Sequence, residues 1–308
     1  MFFSRGEYKL IDMSLTRPDG SAEGAGTARF ERAADAVVDG NLVTLAALLA
    51  EDPALATARS RRVTDRTPPI HRATLLHYVS ANGVEDERQR SPANAVEIAR
   101  LLLSAGAEPD ALADMYRGEC TTMSLLVSST PPAQAGVQVP LIDVLVDFGA
   151  SVESLDAGHG QSPLITALVF GFVDAAEALV RRGAAVNSLA TAAGLGRLDD
   201  VRTMLPAASA DERQQALALA TQHGHPEATR ALLDAGADPN RFNPPGMHAH
   251  ATPLHHAALG GHDAVVRLLV ERGARMDLAD TIYQATPAGW AEHGGHPAIA
   301  AYLRARLS

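Results

Sequence analysis

The chain has 308 residues, 46% hydrophobic and 20% charged, which is enough apolar material for a sizeable core and too much for a disordered polypeptide. Its 36 acidic residues against 26 lysines and arginines give a net charge of -10, which disfavours general binding to nucleic acid or anionic membrane, since phosphate surfaces attract concentrated positive charge. A single cysteine, Cys120, excludes an internal disulfide and a thiolate-rich structural zinc site, and fits a reducing cytoplasm.

Residues 1–15 interrupt their apolar positions with Arg5, Glu7, Lys9 and Asp12, so neither a signal peptide nor a membrane span is expected. Residues 1–27 hold turn formers without a period and are expected to be a disordered tail, with one folded domain over 28–308. Lys9 is the only lysine, and the abundance of arginine and alanine is what a GC-rich bacterial genome produces. Phe30, Ala33, Ala36 and Val37, then Leu42, Leu45, Leu48 and Leu49, recur at helical spacing and predict a helix pair whose Glu31, Arg32, Asp35 and Asp39 face water. Residues 57–69 form a connection, and Arg59, Arg61, Arg62, Arg66 and Arg72 against Asp65 make a basic run. The run reads as solvated linker charge; as a recognition patch it would select an acidic or phosphorylated segment through forked guanidinium hydrogen bonds.

Farther along, three phrases recur in a fixed order. One precedes helix pairs: Ala73-Thr-Leu-Leu-His77, Ser162-Pro-Leu-Ile165, Thr252-Pro-Leu-His255 and Thr286-Pro-Ala288. A second joins two helices: Gly171-Phe-Val-Asp174, Gly196-Arg-Leu-Asp199, Gly224-His-Pro-Glu227, Gly261-His-Asp-Ala264 and Gly295-His-Pro-Ala298. A third ends them: Gly106-Ala-Glu-Pro-Asp110, Gly149-Ala-Ser-Val-Glu153, Gly183-Ala-Ala-Val-Asn187, Gly236-Ala-Asp-Pro-Asn240 and Gly273-Ala-Arg-Met-Asp277. Thr252 can cap a helix whose first turn tolerates Pro253, and Gly273 can take the left-handed conformation that ends the next one. Between them Ala264, Val265, Leu268 and Leu269 form an apolar face that a lone helix pair cannot bury, so neighbours must stack on it.

This pattern resembles the ankyrin repeat, a turn and two antiparallel helices in about 33 residues, over roughly residues 28–308. The resemblance implies an all-α solenoid of about eight repeats, some degenerate, at about 29–55, 70–112, 119–157, 160–188, 189–206, 211–243, 250–280 and 284–308. The stretches His71–Val84, Asn94–Ala99 and Ala135–Gln138 also resemble a group of bacterial ankyrin-repeat proteins without an assigned activity. Spacing departs from the period in places. Gly106 to Gly149 is 43 residues, and the excess at Val84–Ser91 and Pro131–Gln138 is expected to leave the solenoid as loops in repeats two and three. Asn243-Pro-Pro-Gly246 lengthens a third connection, while Gly171 to Gly196 is only 25 residues and predicts a kink or altered twist at repeat five.

Catalytic signatures are absent from the sequence. Lys9 has no glycine-rich phosphate loop, Gly158-His-Gly160 and Gly194-Leu-Gly196 lack the rest of a dinucleotide fingerprint, and neither a His-Glu-x-x-His nor a Gly-x-Ser-x-Gly motif occurs. Nine of twelve histidines lie between His223 and His296, which raises metal binding. However, the family pattern implies turn histidines at 225, 262 and 296 and backbone-bonded ones at 77 and 255, so no metal, cofactor or catalytic residue is predicted. Trp290 is read as core.

The resemblance further implies a concave recognition surface built from turn tips and exposed first-helix ends. Carried residue by residue onto this chain, it gives Arg72, Asn82, Tyr116, Arg117, Ser129, His159, Phe170, His223, His250 and His293 as candidate partner-binding residues. The expected function is a cytoplasmic, non-catalytic scaffold for a partner protein or peptide, with an acidic one favoured if the arginine run takes part. The alternative is a small-molecule binder or unusual enzyme with a pocket between the inserted loops and the concave surface, lined by Tyr78, Asn82, Tyr116, Glu119, Cys120 and Thr122.

Overall fold

The computed structural model describes residues 22–81, 84–116, 118–153 and 162–307. Helices pair in chain order: α1 (Ala22–Val38) with α2 (Leu42–Glu51), then a 3₁₀ helix (Leu75–Ser80) with α3 (Ala95–Ser104). The third pair is α4 (Thr122–Leu126) with α6 (Gln138–Asp147), with the short α5 (Thr130–Gln134) between them. Next come α7 (Pro163–Val169) with α8 (Val173–Arg181) and α9 (Leu189–Gly194) with α10 (Leu198–Met204). The last pairs are α11 (Ala210–Gln222) with α12 (Pro226–Asp234), α13 (Pro253–Leu259) with α14 (Asp263–Glu271), and α15 (Pro287–His293) with α16 (Pro297–Ala305). First helices pack on first helices from α7 through α9, α11 and α13 to α15, so the architecture is an all-α repeat solenoid. One small antiparallel hairpin, β1 (Ala113–Met115) with β2 (Gly118–Cys120), pairs Ala113 with Cys120 and Met115 with Gly118.

The expected tail boundary at residue 27 falls inside α1, which begins at Ala22; residues 1–21 lie outside the described residues. The apolar stripes read from sequence are the core, with Leu45, Leu75, Ile98, Leu141, Leu179, Leu254 and Leu269 fully buried. Trp290 is buried too, its indole N–H donating to Asp280 at 3.0 Å.

The recurring phrases have the physical roles their residue types suggest. The Thr252 amide donates to His255 Nδ1 (3.2 Å), and His255 Nε2 then donates to the Ala285 carbonyl of the next pair (3.1 Å). Thr74 and His77 repeat this arrangement, with His77 Nε2 donating to the Cys120 carbonyl (3.2 Å). Histidines of the inter-helix turn reach back instead: His225 Nε2 donates to Gly194 O (3.0 Å) and His262 Nε2 to Gln222 O (2.9 Å). Glycine is required beside the His262 ring, because Gly224 has φ +73° and a Cβ there would lie 2.4 Å from His262 Nδ1.

The insertion at Val84–Ser91 departs from expectation. It turns inward, because Glu85 and Arg88 are both buried and complete one ionic network. Glu85 Oε1 accepts from His71 Nε2 and from the Tyr78 hydroxyl, both at 2.7 Å, and Oε2 accepts from Arg88 at 2.8 Å. Arg88 also donates to Glu31 (2.9 Å) and Asp35 (2.7 Å) of α1, and Arg90 pairs with Asp39. Glu31, Asp35 and Asp39 therefore hold the insertion rather than simply facing water. Burial opposes ionisation of Glu85, but the His71 and Tyr78 hydrogen bonds and the Arg88 charge outweigh it and hold the carboxyl at about 2. Burial and the neighbouring carboxylate push the Tyr78 hydroxyl up, so it stays a donor.

Candidate interaction surface

The basic run is largely consumed by structure. Arg59 donates to the carbonyls of Arg72 and Leu112, Arg62 pairs with Glu31 and Glu87, and Arg66 pairs with Asp86. The acidic partners come from α1 and the inward-turning insertion, so the run is not a free cationic patch. Arg72 remains exposed at a left-handed position (φ 53°).

The expected site residues fall into two groups. Near the hairpin, Tyr116 stands at the tip, left-handed (φ 54°) and 65% exposed, and the Asp114 amide bonds the His71 carbonyl, which places Arg72 beside this hairpin. Ser129 is tied to the Ala81 carbonyl (3.2 Å). Asn82, Arg117 and His159 lie outside the described residues. In the second group, Phe170 caps α7 with half its surface exposed. His223 donates from Nε2 to the Leu168 carbonyl at 2.8 Å, so this candidate is spent on an internal bond, and burial pulls its imidazole down to about 4. His250 meets the rings of Tyr283 (6.0 Å) and Trp290 (5.7 Å), while His293 is exposed at the end of α15.

Sequence reasoning passed over three residues of this second group. His248 reaches 79 residues back to donate to the Val169 carbonyl (2.9 Å), and Ile282 and Tyr283 are exposed large side chains on the loop before α15. An apolar pair between turn residues was a readable signal for the latter; nothing local marks the contact of His248.

Among the described residues, the pocket of the alternative reading does not assemble. Tyr78 and Thr122 are closed to solvent, the Tyr78 hydroxyl is held by Glu85, and Cys120 Sγ lies against the Met115 carbonyl (3.7 Å) with burial pushing its thiol up, away from a nucleophilic thiolate. A cleft of about 840 Å³ lies elsewhere, between α1 and the 57–72 connection, lined by Phe30, Leu55, Ile70, Arg59, Arg61 and Arg72 among others. Among the described residues no group of three or more His, Cys, Asp or Glu side chains is placed to hold a metal ion, and no helix is long and apolar enough to cross a membrane.

The comparisons agree with this architecture. A model described as "Ankyrin repeats (3 copies)" matches residues 133–243 and a single-repeat ankyrin model matches 250–281. Human cyclin-dependent kinase inhibitor 2A is 33% identical over 121 residues, covering 38% of this chain and 75% of that protein. Rat cyclin-dependent kinase 4 inhibitor B is 32% identical over 127 residues, 40% of this chain and 95% of that protein. The ankyrin repeat and KH domain-containing protein mask-1 of Caenorhabditis elegans is 27% identical over 215 residues, 67% of this chain but 8% of that protein. Stacked helix pairs, histidine-bonded turns and these matches together place the chain in the ankyrin-repeat family.

Proposed function

We propose that this chain is a cytoplasmic scaffold that binds a partner protein or peptide along its concave side, through the first-helix ends and hairpin tips. Ankyrin repeats are interaction modules rather than catalysts, and relatives named as kinase inhibitors act on protein targets. The observation that carries the reading is the position of three of the four exposed aromatic side chains among the described residues: Tyr116 at a hairpin tip, Phe170 at a first-helix end and Tyr283 on a tip loop, the fourth, Phe148, following the second helix α6. A rigid solenoid that presents such anchors loses little conformational entropy on binding, so few of them suffice for affinity. Arg72, exposed next to the hairpin, is a cation that a carboxylate of the partner would meet. Affinity capture with the wild type and with the Tyr116→Ala/Phe170→Ala double variant tests this, with far-ultraviolet circular dichroism as the folding control. A protein retained by the wild type and lost by the folded variant is expected. Equal retention by both would remove the assignment of this face.

A further inference from the structure

Helix α7 ends on the carbonyls of Leu168 and Val169, and side chains from beyond α9 and α10 take them up. Gln222 Nε2 donates to both (3.2 and 2.9 Å), His223 to Leu168, and His248 to Val169. His248 sits in the loop 243–250, which is closed by the Asn243 amide on the Ala251 carbonyl (2.8 Å) and is left-handed at His248 (φ 57°). Directly against it, with ring centres 5.0 Å apart, lies His256 of α13, 6% exposed, whose Nε2 is enclosed and has no hydrogen-bond partner. An unpartnered buried polar atom is uncommon in folded proteins and marks a place where structure and solvation compete.

The surroundings contain little to accept a proton from this ring. Trp290 of α15 lies edge-on at 5.4 Å, and the charges acting on His256 are those of other imidazoles: His248 and His250 of the loop, His255 of the same helix, and His223 at the end of α11. Asp280, in the loop before α15, acts on His250 and His255, and its oxygens already accept from Trp290 Nε1 and from the amides of Ile282, Tyr283 and Ala285.

We propose that this imidazole cluster is an acid-released clamp, in which proton uptake by His256 lifts the 243–250 loop off the end of α7. An imidazolium at His256 would be a buried charge whose Nε2–H meets no acceptor while the loop is closed, a state that is strongly unfavourable. Water reaches Nε2 once the loop moves, and the loop is tied to the end of α7 by the His248 bond. Burial keeps His256 far below its ordinary value of 6.5, so the clamp is closed at neutral pH. The sign follows from linkage: the depressed group favours the closed state above its ordinary value, and that preference is lost as pH falls below it. The inference stands whichever partner the scaffold takes, because it concerns the loop and α7 alone.

Hydrogen exchange of the loop amides, corrected for the intrinsic pH dependence, reads the clamp directly, and emission from Trp290, the sole tryptophan, reads it optically. Between pH 7.5 and 5 the wild-type loop is expected to lose at least tenfold protection, with Trp290 emission changing over the same range. His256→Leu should keep the loop protected through that range. His250→Gln removes an imidazole that could quench Trp290 by itself, and should leave the exchange step in place. Unchanged loop protection in the wild type, or the same loss in His256→Leu, overturns the proposal. If His256→Leu does not fold, His256→Gln serves, since it keeps a polar side chain that cannot take up a proton. A full wild-type acid step in His256→Gln would overturn the proposal equally.

Discussion

Two inserted segments close onto this solenoid by opposite chemistry. Residues 85–88 carry a carboxylate and a guanidinium into the interior, where Glu85, Arg88, His71, Tyr78, Glu31 and Asp35 form one connected set of donors and acceptors. Residues 243–250 bring imidazoles instead, and His256 Nε2 is left without a partner. The contrast teaches that burial of polar groups turns on charge compensation. In the first set opposite charges are paired even though Glu31 Oε1 is without a partner, whereas in the second no acceptor meets His256 Nε2 and the set is soft toward whatever changes its protonation.

The largest effect expected is at the first joint. Glu85→Ala leaves Arg88 buried beside an emptied site, and breaking a buried pair in this way costs about 3–5 kcal/mol; urea denaturation of the variant measures it. A loss below about 1 kcal/mol would mean that the network contributes little. Acid should separate the joints next. His223 and His77, each held by burial at about 4, stabilise the fold fully above about 6.5 and lose that contribution as pH falls toward 4. At about 1.4 kcal/mol per unit the ceiling is about 3 kcal/mol for each. Glu85, held at about 2, contributes above its ordinary 4.5 and loses its share only as pH falls from there toward 2. Urea midpoints at pH 7.5, 6 and 5 should therefore fall while the Glu85 joint is still intact, and His223→Gln should shrink the drop.

A smaller effect belongs to the turn that both halves share in form. Gly224→Ala combines a left-handed residue with a collision against the His262 ring and should cost about 2 kcal/mol, read as a lowered Tm. Smallest is Phe170→Ala, whose half-exposed ring should change stability by less than about 0.5 kcal/mol while weakening capture of a partner.

The helix pairs, the apolar stripes and the histidine-bonded turns were legible because each is written locally: a cap, a glycine, a 3.6-residue period. Thr252 and His255 are three residues apart, and their bond follows from that spacing. Inserted segments were legible as extra length but not as direction. Glu85 and Arg88 read as a solvated loop in sequence, and what draws them inward is a set of partners up to 57 residues away on α1. Exposure was legible where the sequence repeats the family pattern, as at Phe170. It was misread at His223, whose partner is the end of a helix two pairs earlier, and at the arginine run, whose counter-charges lie in other elements.

The bonds from Gln222, His223 and His248 to the end of α7 have a consequence for how such an array can evolve and come apart. Ordinary repeats touch only their neighbours, so one can be deleted or duplicated and its flanks will dock again. Here the shortened pair α9/α10 is bridged by bonds that skip over it, so excising it would leave those side chains out of register with the carbonyls of Leu168 and Val169. Residues 163–259 are therefore expected to behave as one block and, under a pulling force, to yield as a single step rather than repeat by repeat.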